Sequence, residues 1–252
     1  MPGSHYYLVC ALPSLGDLGS VPPLSPAALR ELAGESAGPA ALVDAILLGD
    51  DLLQRDATLA GETAEAEPAV LSPEQVRGEQ PLPPELAAAD DPVARPVAGD
   101  AAWAAYFRHA AAVAQRRSSA FLAAWVGHEV ALRNALAAAR AKALDLDVAD
   151  YLVTPELGDP GPALGEVVTQ WAAAATPLEG LKVLDRARWE WLGDHDAWFS
   201  FGDDELAVYA ARLMLLVRWH RLSAVPRTGA GRSSSTSAGS ADRARGAPPD
   251  NP

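Results

Sequence analysis

The chain has 252 residues, a formal net charge of −13, close to half hydrophobic residues and one cysteine. A single cysteine excludes an intrachain disulfide, no apolar run approaches the ~20 residues that cross a bilayer, and so acidic a body repels nucleic acid and anionic lipid. Alanine favours helix but buries little area, so a core must lean on leucine and tryptophan.

At the N-terminus "HYYLVCAL", His5 to Leu12, sets aromatic and β-branched residues ahead of Pro13. It predicts an extended segment or a short buried helix. No basic region precedes it, so no secretory signal is expected and the protein is expected to be cytoplasmic. Ser25 followed by Pro26 predicts a capped helix start, with "PAALRELAG" stopping at Gly34. A further helix is predicted from about Pro39 to Ala60, with Gly49 a candidate break.

From Gly61 to Gly99 seven prolines forbid a long helix, and the segment reads as an acidic connection with one or two helical turns. Asp100 opens the strongest element. Over about 45 residues there is no proline and one glycine, Gly127. Trp103, Phe107, Ala110, Ala114, Phe121, Trp125, Leu132 and Leu136 recur at three- and four-residue steps, which predicts a helical stripe. Unbroken, it would be one central helix roughly 65 Å long, with Ser118, Ser119 and Gly127 as the places for a bend.

Helices are predicted from Ala163 to about Ala175, from Thr176–Pro177 to near Gly193, and from Asp204 to about Leu222. The serine-, glycine-, arginine- and proline-rich tail is expected to be disordered. The expected organisation is an N-terminal helical segment (1–60), the connection (61–99), a helical bundle (100–224) and the tail (225–252).

Two patterns invite a chemical reading. "HEVALRN", from His128, has Leu132 where the zinc-protease signature needs a second histidine, so that signature fails. Glu129 and Arg133 stand i, i+4 and can pair along the helix, with Asn134 adjacent; the alternative is that Arg133 and Asn134 turn inward to bond a neighbouring loop. "WEWLGDHDAWFSFGDDEL", Trp189 to Leu206, gathers Asp194, His195, Asp196, Asp203, Asp204 and Glu205. These acids fit the end and start of two helices, around Gly193, better than a calcium loop or a zinc site. Phosphate-loop, dinucleotide and nucleophile-elbow motifs are absent. The tryptophans 189, 191, 198 and 219 read as core more readily than as a binding platform. No catalytic residue, metal ligand or cofactor site is expected.

The order of the short motifs carries a resemblance. "HYYLVCALPSLG", with Tyr6 and Tyr7, the "LRN" element of "HEVALRNALAAARAKAL", and two "RW" helices, "LDRARWEW" with Arg188 and Trp189 and "YAARLMLLVRWHRL" with Arg218 and Trp219, look like an uncharacterised bacterial family encoded beside V-type ATP synthase subunits. That family is similar to the C/d-type funnel component of V/A-type ATPases. The resemblance implies an all-α, elongated multi-helix bundle with one long central helix, and no catalysis. It implies a part that couples or docks the central rotor shaft to the membrane ring, held at the inner membrane through the complex and without direct membrane insertion. Tyr6, Tyr7, Glu129, Arg133, Asn134, Arg188, Trp189, Arg218 and Trp219 are its candidate structural or interface residues. Two other readings stand beside it: a metal-dependent enzyme centred on His195 and nearby aspartates, and a helical scaffold for some other basic protein.

Overall fold

The computed structural model describes residues 5–34, 37–63, 65–87, 95–159, 164–197 and 199–224. The tail expected to be disordered lies outside them. Among the described residues there is no strand, and the fold is all-helical. The helices are α1 (Tyr6–Ala11), α2 (Pro26–Ala33), α3 (Ala37–Leu59), α4 (Pro73–Val76), α5 (Asp100–Arg117), α6 (Ala120–Ala143), α7 (Leu164–Ala172), α8 (Pro177–Asp194) and α9 (Asp203–Ala224).

Local chemistry sets most of the starts. Ser25 accepts the N–H of Ala28 at 3.1 Å with Pro26 in the first turn, and Thr176 accepts that of Glu179 at 3.2 Å ahead of Pro177. Ser72 and Gln75 form a reciprocal capping box for α4.

The centre is α9 packed along α3. Leu206, Ala207, Val208, Ala210, Ala211, Leu213, Met214, Leu215 and Leu216 of α9 are all buried, an apolar run on every face, which marks an interior helix. Helix α5 packs on α3 and α6, and α8 packs on α9. Helix α7 covers a smaller cluster of Leu132, Leu136 and Leu184. One main core draws on residues from Leu29 to Leu215, including Leu71, Val76 and Leu86 of the proline-rich segment, so the segments that differ in composition share one interior.

Three expectations are corrected. The single long central helix is two, of 18 and 24 residues. Ser118 turns left-handed (φ 53°, ψ 37°) to end α5, and Ser119 caps α6 by accepting the N–H of Leu122 at 3.0 Å. Ser119 also donates to Asp204, whose other oxygen accepts the N–H of Phe121 at 3.2 Å, so the first turn of α9 fixes the break. Gly49 does not interrupt α3. It is the place where α3 meets Tyr106, whose hydroxyl would lie 2.7 Å from an added Cβ. Segment 6–11 is helical, but none of its residues is buried.

Candidate functional site

Interior helices carry charge only where each charge finds a partner. Here six side chains form one chain of ion pairs through the middle of the bundle. Arg221 bonds Asp50. Asp50 takes Nε of Arg218 at 3.0 Å, and Arg218 reaches Asp185 at 3.1 Å. Asp185 takes Nη1 of Arg188 at 3.2 Å, and Arg188 forks onto both oxygens of Glu129 at 2.7 and 3.0 Å. Helices α3, α9, α8 and α6 are tied in turn. Three carboxylates face three guanidiniums, and Asp50 and Asp185 are buried.

The electrostatics follow the geometry. Burial pushes Glu129 and Asp50 up, but Arg188 for the first, and Arg218 and Arg221 for the second, outweigh it and hold both carboxyls below the usual range. Burial likewise works against the charges of Arg188 and Arg218, yet Glu129 for one and Asp185 and Asp50 for the other keep them more firmly protonated than a free arginine. Burial, with the charge of Glu129 next, raises the Tyr106 hydroxyl.

One end of the chain of charges opens to a pocket of about 220 Å³ between α2, α3, α9 and residues 67–69, lined by Asp50, Asp51 and Arg221 among others. Asp51, one position along α3, holds a different part of the fold. Its carboxylate accepts the N–H groups of Ala69, Val70 and Leu71 at 2.9, 2.7 and 2.8 Å, pinning the proline-rich segment to α3.

Of the residues singled out by sequence, the structure brings Glu129, Arg188 and Arg218 together in this chain of charges. Arg133 and Asn134 lie elsewhere. Arg133 does not pair with Glu129. It stacks 4.5 Å over Trp103 and meets Asp100 at 2.8 Å, because Glu129 is drawn to Arg188 instead. Asn134 turns to a loop, taking the N–H of Val153 at 2.8 Å and giving its own to that residue's carbonyl at 2.9 Å. Trp189 packs half-buried against the main core with Arg212 5.3 Å over its ring, whereas Trp219, also half-buried, lies under Lys182 and Arg186 at 5.6 and 5.8 Å. Trp198 lies outside the described residues. Tyr6 and Tyr7 are exposed.

The acids of the 189–206 stretch disperse. Asp196 pairs with Arg212 at 3.0 Å, Asp203 with His5 at 2.6 Å, Asp204 caps α6, and His195 stacks on Trp191 at 3.8 Å. Among the described residues no three His, Cys, Asp or Glu side chains gather as a metal site would require. Asp50, Asp51 and Arg221 escape a reading of the sequence alone. For Asp50 and Asp51 the signal lies in "LLGDDLL", two acids inside an apolar helix run, which demand partners.

Compared with protein-family models, curated proteins and solved structures, the chain matches none.

Proposed function

We propose that the chain is a non-catalytic helical subunit or accessory factor of a bacterial V-type ATP synthase or ATPase, docking or coupling the central rotor shaft to the membrane ring. Its partners on this reading are central-stalk subunits and the rotor ring, met through protein surfaces at the cytoplasmic face of the inner membrane. Among the described residues no helix is long and apolar enough to cross a membrane. The reading starts from the ordered motifs. The observation that carries it is that Glu129, Arg188 and Arg218, each within one of those motifs, meet in one buried chain of ion pairs. A part that transmits torque must keep its helices from sliding, and oppositely charged groups paired across four helices fix their register.

The test is co-purification of the tagged, intact chain from its host under conditions that keep rotary ATPases assembled. Recovery of stalk and ring subunits is expected. Their absence from the eluate while the ATPase itself stays assembled overturns the proposal. The reading as a scaffold for another basic partner gains from the acidic net charge and is what recovery of a different basic protein would favour. The metal-dependent reading gains nothing from the geometry, since Asp196 and Asp203 are turned to Arg212 and His5.

A further inference from the structure

The pocket at the end of the chain of charges holds about 220 Å³, below the roughly 300–1,000 Å³ of drug-sized sites, so only a small molecule fits it. Leu47, Val217, Pro26 and Pro68 give it apolar walls. Its polar groups carry both signs. Arg221 is the positive one. It spends only Nη2 on Asp50, and its side chain is 34% exposed. The first turn of α2 adds the N–H of Ala27, which like other first-turn N–H groups has no acceptor inside its helix.

Glu67 is the negative group that stays unpaired. Its backbone is fixed, since Gln54 accepts its N–H at 2.8 Å and donates to its carbonyl at 3.4 Å. Its carboxylate meets no cation among the described residues, although Arg221 lines the same pocket. Asp51 has three backbone N–H partners but no bonded guanidinium, and burial pushes it up to about 6. Asp50 is the exception, held by Arg218, Arg221 and Gln54 together.

These groups sort ligands by charge. A free anion drawn to Arg221 also meets Glu67 and Asp51. A free cation drawn to Glu67 also meets Arg221 and the positive end of α2. A small molecule that carries both charges turns each repulsion into an attraction.

The geometry points to a site for a free amino acid with a small side chain, its carboxylate on Arg221 and the Ala27 N–H and its ammonium on Glu67. The side chain lies against Leu47 and Val217. The assignment does not rest on a role in a rotary ATPase, and its failure leaves that reading untouched.

The test melts the intact chain with glycine, L-alanine, L-serine or L-valine at millimolar concentrations, beside propionate and propylammonium. A ligand held only by the folded chain raises its melting temperature with concentration. At least one amino acid should do so, and neither singly charged compound should. Calorimetric titration with the best of them then reads affinity apart from stability. Glu67→Gln should weaken binding about tenfold or more, because the ammonium loses its charged partner. The variant should fold as wild type does, since only the Glu67 backbone is bonded within the fold. Glu74→Gln, an exposed carboxylate that does not line the pocket, should leave affinity unchanged. Three results overturn the proposal: no amino acid raises the melting temperature, propionate or propylammonium raises it as far as the best amino acid does, or Glu67→Gln binds that amino acid as tightly as wild type.

Discussion

Arg188 sets Nε and Nη2 against the two oxygens of Glu129, at 2.7 and 3.0 Å, across 59 positions of sequence. The fork joins α8 to α6, and both side chains are largely closed to solvent. Arg188→Ala leaves Glu129 closed to solvent without its hydrogen-bonded cation, with only the more distant charge of Arg218 to support it, and halves the support of Asp185. It should cost about 3–5 kcal/mol, the usual effect of breaking a buried pair from one side. Arg188→Lys should keep little of that, because a point charge cannot bridge both oxygens. Urea midpoints of the two variants measure this. Losses below about 1 kcal/mol in both would place the pair among exposed ones.

Acid should reveal two opposed groups of carboxylates. Glu129 and Asp50 are held below their ordinary range, so their contribution to stability is present above the unfolded values of about 4 and is lost as pH falls through the lower folded ones. Asp51 behaves oppositely. Burial pushes it up to about 6, with the three backbone N–H groups pulling it down and Asp50 raising it again. The folded state then holds a proton that the unfolded state has released, and stability falls as pH rises towards 6. Wild type should gain stability from pH ~7 to ~5 and lose it below ~4. Asp51→Asn should flatten the first limb and keep the second. Urea titrations at successive pH values decide it, and an unchanged first limb in the variant would clear Asp51 of the effect.

The local signals are legible in the sequence and the long-range ones are not. Ser25–Pro26 and Thr176–Pro177 announce helix starts because cap chemistry lies within three residues of itself. The stripe from Trp103 to Leu136 announces helix and marks Ser118 and Ser119 as places where it can bend, but nothing about two serines demands a full stop. The stop depends on Asp204, which lies 85 positions beyond Ser119. Sequence pairs Glu129 with Arg133 because i, i+4 is the only pairing it shows; Arg188 outcompetes it from another helix. The core residues of the proline-rich segment are hidden for a similar reason. Its attachment runs through the side chain of Asp51 and three backbone N–H groups, which have no sequence pattern.

The break between α5 and α6 should respond to single substitutions in opposite directions. Ser118 holds a left-handed backbone that glycine takes freely, so Ser118→Gly should stabilise by about 0.5–1 kcal/mol. Ser119→Ala removes the cap of α6 and the bond to Asp204, and should destabilise by about 1–2 kcal/mol. Thermal melts of both suffice. A destabilised Ser118→Gly would mean that the serine side chain, not the backbone, keeps the turn.

The neighbours Arg133 and Asn134 make separate ties, and their variants should fail in different ways. Arg133 touches Asp100 through Nη2 alone, at 2.8 Å, and lies over Trp103. A lysine can supply one such bond and part of the ring contact, so Arg133→Lys should lose less than Arg133→Ala, whose expected cost is about 2–3 kcal/mol because Asp100 is buried. That ordering contrasts with Arg188, where lysine rescues little. Asn134 needs both halves of its amide, since it bonds the N–H and the carbonyl of Val153. Asn134→Ala leaves both unmet and should cost about 1–3 kcal/mol. Asn134→Asp at neutral pH sets a carboxylate against the Val153 carbonyl and should be at least as harmful. Below pH ~4 a protonated carboxyl can donate again, and part of the loss should return relative to wild type at the same pH. Melts of the two Asn134 variants at pH 7 and pH 4 read this out. An Asn134→Asp variant as stable as wild type at pH 7 would show that the amide hydrogen bond to the Val153 carbonyl is not part of the fold.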